Sequence, residues 1–397
     1  MDKDLRIRVL ASIADVPAAA WDACANPQSN AGALPYNPFI SHAFLSALET
    51  SDSATARTGW HPQHLIAETD QGAVLGAVPA YLKSHSRGEY VFDAGWAEAY
   101  ERAGGSYYPK VQVSAPFTPA TGRRLLVPPG ENAETIRRGL ASGLIELANL
   151  RDASSVHVTF APEDEWRMLG ELGFLQRNDQ QFHWENANYG TFDDFLNALA
   201  ARKRKAIKRE RREALAPGIE VEWLTGSDLT ESVWDQFFAF YVETGSRKWG
   251  RPYLTRAFYS LIGESMADKV MLMMAKRAGR YIAGAINFIG GDTLFGRHWG
   301  ATEHHPFLHF ELCYYQAIEY AIQNKLPRVE AGAQGEHKLA RGYMPVTTYS
   351  AHYIADPALR RAIADYLKRE RAYVAAAGAE LAAMGPFRKD LVFEETS

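Results

Sequence analysis

The stretch EAGAQGEHKLARGYMP, Glu330 to Pro345, carries the chain's densest set of groups able to do chemistry. Glu330 and His337 can each take up a proton. Lys338 and Arg341 can hold an anion, and the arginine fork suits carboxylate or phosphate. Gly332, Gly335 and Gly342 are interspersed, which an ordinary solvated helix face would not tolerate well. Just upstream, RVEAGA reads as a strand with Val329 and Ala331 facing one way and Glu330 the other. Glu330 then projects from the carboxyl end of a strand, where open α/β sheets often bind ligands. In the short helix that follows, His337 and Arg341 share a face. Backbone N–H groups at Gln334 and Gly335 open that helix and suit an anion.

A second segment, GRHWGATEHHPFLHFELCYYQAIEYAI, adds Arg297, His298, Trp299, His304, His305, His309, Glu311 and Tyr315. As a strand, its start places Arg297 and Trp299 on one face and His298 on the other. The helix after Pro306 is apolar on most sides, so it is expected to be buried. Glu311 inside it needs a partner, for which Arg297 is a candidate. A zinc site built from His304, His305, His309, Glu311 and His337 is a rival reading, but the spacing fits no H-E-x-x-H pattern. The plain structural alternative is an ion-pair network bracing the core. No G-x-S-x-G, P-loop or G-x-G-x-x-G is present.

The elements that must position these groups follow from periodicity. HLIAET and AVLGAVPAYLK read as strands joined by a hairpin, GEYVFDAGW as a third strand and KVQVSAPF as a fourth. Ile136, Leu140, Leu144, Leu147 and Ala148 recur at helical spacing behind Asn132, a plausible N-cap. SSVHVTF, EDEWRMLGELGF and QFHWEN then read as strand, helix and strand. The second half predicts helices over 192–215, 231–247 and 255–266, three strands in KVMLMMAKR, RYIAGAINFIG and DTLFGRHWG, and a helix over 306–324. After the strand RVEAGA come the strand TTYSAHYIA and a terminal helix from Pro357.

The halves resemble each other. VLGAVPAYLK parallels YIAGAINFIG, Phe92-x-x-x-Trp96 parallels Phe295-x-x-x-Trp299, and SVHVTF parallels RVEAGA, with the region around SYYPKVQVSAPFTPATGRRLLV read as extra in the first copy. One α/β unit used twice is expected, with domains 1–190 and 191–397 and a boundary in the turn-rich 185–194. The first half looks poorer in convergent polar groups and is expected to shape the site rather than carry it.

Composition sets the outer bounds. The 397 residues are 47% hydrophobic and 23% charged, with formal net charge −4. This is globular composition without a global signal for nucleic acid or acidic membrane. Cys24 and Cys313 have no paired spacing, so a reducing, cytoplasmic setting is expected. No run reaches the length of a membrane span, and the start lacks a signal-peptide core. Eight Lys or Arg between Arg202 and Arg212 form the basic end of an amphipathic helix. They suit a solvated face or a phosphate-rich partner such as tRNA.

The segments GRHWGATEHHPFLHFELCYYQAI and EAGAQGEHKLARGYMPVTTYSAHYIADP, with LAARKRKAIKRERREA, TGSRKWGRPYLT and APFTPATGRRLL, resemble the FemAB-like predicted N-acyltransferases over nearly the whole chain. The resemblance implies two tandem GNAT-type domains, each a mixed, mostly antiparallel sheet flanked by helices. It implies transfer of an acyl or aminoacyl group to the amine of a small molecule or peptidoglycan precursor. No cofactor would be bound tightly, and the donor is left open between acyl-CoA and aminoacyl-tRNA. The loop GATEHHPFLHFE lacks the Arg/Gln-x-x-Gly-x-Gly/Ala pattern of CoA-dependent GNAT enzymes. Under this reading Glu330 or His337 is the base, Tyr343 the acid, and backbone N–H groups near Gly296 polarise the carbonyl. Arg297, Lys338 and Arg341 would hold an anionic group, Trp299 and Tyr315 form walls, and His298, His309, Glu311 and Gln334 complete the binding set. A non-catalytic binding module on the same fold is the alternative, and a metal-dependent enzyme a lesser one.

Overall fold

The β-branched and aromatic runs of the first half become strands β1 (Arg6–Leu10), β2 (Trp60–Pro62), β3 (His64–Glu68), β4 (Val74–Val78), β5 (Ala80–Lys83), β6 (Lys110–Val113), β7 (Ser155–Ala161) and β8 (Leu175–Glu185). The second half supplies β9 (Ile219–Thr225), β10 (Val270–Arg277), β11 (Arg280–Ile289), β12 (Thr293–Ala301), β13 (Arg328–Glu330) and β14 (Met344–Ile354). The computed structural model describes residues 5–27, 34–216, 218–249, 252–332 and 335–388. The chain divides into two compact units, residues 1–179 with 347–375 and residues 180–346 with 376–397.

In the first unit β1, β3 and β4 form an antiparallel sheet, and β2, β5, β6, β7 and the 347–354 part of β14 lie in that order. Only the β6–β7 step is parallel. Pro79 separates β4 from β5, because it has no N–H to give a ladder. The helix Ala133–Leu150 buries Leu140, Ala141, Leu144, Leu147 and Ala148 against this sheet, the face its periodicity predicts. Asn132 stands at its N-cap position without a side-chain capping bond.

Two expectations fail here. GEYVFDAGW is not a strand: it is irregular up to the helix Ala94–Arg102, because Glu89 and Asp93 turn inward to Lys110 instead of alternating along a ladder. The third strand is β6, so the segment read as an extra insertion holds the counterpart of β12, and Phe92 and Trp96 do not correspond to Phe295 and Trp299.

One buried acid in this unit has a pH consequence. Glu165 is 2% exposed, and its Oε2 accepts the N–H groups of Arg124 and Leu125 at 2.9 and 3.3 Å. Burial raises its pKa to about 7. The folded state therefore holds a proton that the unfolded chain releases at ordinary carboxylate pH, so this group's contribution falls as pH rises from about 4.5 to 7. Glu165→Gln will raise Tm at pH 8 relative to the parent and leave it nearly unchanged at pH 4.5. Thermal melts at both pH values check this, and equal shifts at both would contradict it.

The second unit runs β9, β10, β11, β12, β13 and the 180–185 part of β8, antiparallel except for β12–β13. The order of antiparallel and parallel steps repeats that of the first unit, so the duplication is legible in topology. The expected helix 192–215 is two, Phe192–Ala198 and Ala201–Leu215. Leu199 is extended and bridges Phe387, and the Ala200 N–H donates to Pro386 O at 2.9 Å, which stops the first helix. The helix Glu231–Trp249 lies so close on β12 that a Cβ on Gly300 would meet Phe240 O at 2.0 Å, so only glycine fits there.

Candidate active site

Among the described residues β12 and β13 pair through Thr293–Arg328, Leu294–Val329 and Phe295–Glu330 alone. On the other side of β12, Asn287 of β11 opposes Gly296 and Ala285 opposes Trp299, so Arg297 and His298 form a bulge against Ile286. A cavity of about 80 Å³ opens at this point, lined among others by Asn287, Gly296, Arg297, His298, Trp299, His309, Cys313, Tyr314 and Ala331. Trp299 and His309 also line an adjoining cleft of about 570 Å³ between Glu243 and Thr244 of the helix and the segment 301–310. His304 and His305 lie on that segment, where His305 pairs with Glu303 at 2.8 Å.

The apolar helix after Pro306 runs from Leu308 to Gln323 and widens to a π turn over Glu311–Tyr315, a feature frequent at functional sites. Glu311 is fully buried, and its partner is Arg211 rather than Arg297. Arg211 donates to it at 2.9–3.2 Å, Gln316 adds a bond at 2.7 Å, and Arg211 also reaches Glu319 at 2.7 Å. The neighbouring Glu210 accepts Arg341 at 2.9 Å and the Tyr315 hydroxyl. Arg341 also donates to His337 O at 2.7 Å and sits 3.5 Å over the Phe310 ring. Glu311, Tyr315 and Arg341 therefore brace the helix Ala201–Leu215 against the site. The same helix sends Arg202, Lys205, Lys208, Arg209 and Arg212 outward, with Lys208 paired to Asp193 and Arg209 to Glu213.

The remaining residues separate into groups. The Tyr314 hydroxyl and His337 Nε2 are hydrogen-bonded at 2.8 Å, with Tyr314 on the cavity wall and His337 exposed beyond it. Burial raises the Tyr314 pKa, so the phenol stays protonated. Burial holds His298 neutral, its pKa pushed down to about 3. Lys338 is 2% exposed, donates to Gly332 O at 2.8 Å and has its pKa lowered to about 8 by burial. Glu330 sits at the end of β13 with its carboxylate 3.9 Å from His183. Tyr343 is fully buried, its hydroxyl 3.4 Å from Tyr314 O, and burial drives its pKa well up. Gln334 lies outside the described residues. Among the described residues no three His, Cys, Asp or Glu side chains gather as metal ligands.

Sequence reasoning missed a polar cluster in the first unit. Lys110, fully buried, donates to Ser86 at 2.8 Å, to Glu89 at 2.6 Å and to Asp93. Tyr107 donates to Asp93 at 2.7 Å, and His157 meets His352 at 2.7 Å. Lys83 lies 3.6 Å from Glu89 and 3.5 Å over the Trp60 ring, its pKa lowered to about 7 chiefly by burial. The first unit is thus not poor in convergent polar groups. The usable signal was KVQV, where Lys110 and Gln112 alternate with apolar residues on a strand covered on both faces.

Among the described residues no helix is long and apolar enough to cross a membrane. No curated protein sequence matches the chain. Among solved structures, FemX aligns with TM-score 0.53 and 13% identity, covering 88% of this chain and 98% of that one. The C-terminal domain (DUF2156) of a putative lysylphosphatidylglycerol synthetase from Agrobacterium fabrum aligns with TM-score 0.53 and 9% identity, over 90% and 97%. A tandem GNAT protein from the clavulanic acid biosynthesis pathway aligns with TM-score 0.48 and 14% identity, over 89% and 99%. The fold is two α/β units, each a mixed sheet flanked by helices, like that of FemX. A family model described as FemAB-like, peptidoglycan biosynthesis/recognition, matches residues 12–389, and the chain belongs to that family.

Proposed function

We propose that this protein is an N-acyltransferase that moves a small acyl or aminoacyl group from a thioester or ester donor to an amine, with a peptidoglycan precursor as acceptor. The observation that carries the reading is the early parting of β12 and β13, which opens a cavity beside a Tyr314–His337 hydrogen bond. The family description supports the acceptor class. In the reaction the amine nitrogen bonds to the acyl carbon, and the carbonyl oxygen takes the electron pair. The amine proton passes to the Tyr314 oxygen as the phenol proton passes to His337 Nε2. The tetrahedral centre collapses with loss of the thiolate or ribose oxygen, which takes a proton from the Tyr314 phenol as His337 returns its proton to Tyr314. Of the two bases put forward from sequence, geometry favours His337, because Glu330 alternates with Ala331 and faces His183. Arg297 at the cavity rim suits an anionic group on either substrate, and Lys338 holds the end of β13 through Gly332 O.

Thiol labelling tests the site. Cys313 lines the cavity, whereas Cys24 is 1% exposed and its thiol is pushed up to about 11 by burial. Iodoacetamide will modify Cys313 first. Donor at ten times its Kd will slow that modification about tenfold. Acetyl-CoA and glycyl-tRNA are tested separately, and the one that protects names the donor class. Protection by neither would overturn the placement of the donor in this cavity.

A further inference from the structure

The strand RYIAGAINFI is apolar along its inner length except for Asn287. Asn287 is 1% exposed, and its Nδ2 has no hydrogen-bond partner among the described residues. Leaving a buried amide donor unmade is costly, so a retained one needs a reason. The amide faces Gly296 across the bulged pair β11–β12. A Cβ on Gly296 would stand 3.3 Å from Asn287 Oδ1, 3.4 Å from Glu330 O and 3.7 Å from the Ala331 Cα. The Oδ1 end of the side chain therefore lies beside the bare backbone of Gly296, where β12 leaves β13, and Asn287 lines the cavity of about 80 Å³.

Resting on the transferase reading above, we propose that Asn287 is a catalytic hydrogen-bond donor to the carbonyl oxygen of the transferred group. As the amine nitrogen bonds to the acyl carbon, C=O becomes C–O⁻. The bond from Asn287 Nδ2 strengthens as that charge grows, which favours the transition state over bound substrate. The side-chain donor adds to whatever the backbone of the bulge supplies.

Steady-state kinetics of Asn287→Ala against the parent test this. Removal of the donor lowers kcat by about 10²–10³-fold with little change in KM. Unchanged kcat in a folded Asn287→Ala protein overturns the donor role. A parent that transfers no group at all overturns the transferase reading itself, so the two failures are distinguishable. A second measurement needs no variant: the infrared stretch of a ¹³C-labelled thioester or ester carbonyl shifts to lower frequency on binding. An unshifted band overturns the proposal even if Asn287→Ala does not fold.

Discussion

Lys110→Met will destabilise the protein by about 3–5 kcal/mol, the cost of leaving buried charges unpaired. Lys110 is fully buried beside Glu89 and Asp93, which are 4% and 2% exposed. Its ammonium is the shared donor to both carboxylates and to Ser86. Burial opposes charge on every member: at Glu89 it prevails and the pKa is raised, whereas at Asp93 the attraction of Lys110 and the hydrogen bonds to the carboxylate together outweigh it and the pKa is lowered. The two carboxylates outweigh it at Lys110, whose pKa is raised. Removing Lys110 leaves Asp93 the Tyr107 hydroxyl and a neutral His157, whose pKa burial lowers to about 3, and leaves Glu89 with Lys83 at 3.6 Å. Denaturant unfolding measures the loss. Adding Glu89→Gln and Asp93→Asn to Lys110→Met will recover part of it, because the uncompensated charge is then gone. A loss below about 1 kcal/mol would mean that water or neighbouring groups already satisfy these carboxylates.

His337→Ala will lower the rate of acyl transfer by about 10²–10⁴-fold, the usual worth of a positioned general base. The variant will stay folded with a stability loss of about 1–3 kcal/mol, because His337 is exposed but gives the buried Tyr314 hydroxyl its hydrogen bond and lies against Phe310. Tyr314→Phe will show a loss of similar size, since it breaks the 2.8 Å bond through which His337 reaches the cavity. The two losses will not add in the double variant, because both residues serve one proton path. Glu330→Gln will cost less than either. If Glu330→Gln abolishes turnover while His337→Ala retains it, the roles assigned to the two are reversed.

Local periodicity made most of the elements legible. The apolar stripe from Leu140 to Ala148, the strands RYIAGAINFIG and DTLFGRHWG, and the terminal helix from Pro357 all fall where spacing alone places them. Long-range pairing was not legible. Glu311 looked like a partner for Arg297, fourteen residues before it, but its partner Arg211 is 100 residues away on a helix whose charge run resembled a solvated face. Nothing in the sequence groups Lys83, Glu89, Asp93 and Lys110, and only the fold closes them into one network. GEYVFDAGW has strand composition, and the inward pull of Lys110 on Glu89 and Asp93 overrides it. For the site, sequence located the segments around Arg297 and His337, but it did not separate bracing residues such as Arg341 and Tyr315 from those on the cavity wall. Asn287 did carry a signal, as the one amide side chain in an otherwise apolar run, and a search for charged groups passes over it.

The central claim is that the cavity at the parting of β12 and β13 transfers a small acyl group to an amine. The most direct measurement is mass spectrometry of a peptidoglycan-precursor peptide bearing a free amine, incubated with the protein and either acetyl-CoA or glycyl-tRNA. A mass increase of one acyl or aminoacyl unit on that amine is predicted with one of the donors, reduced about 10²-fold or more in His337→Ala. An unmodified acceptor with both donors, or an equal rate in the variant, would contradict the account.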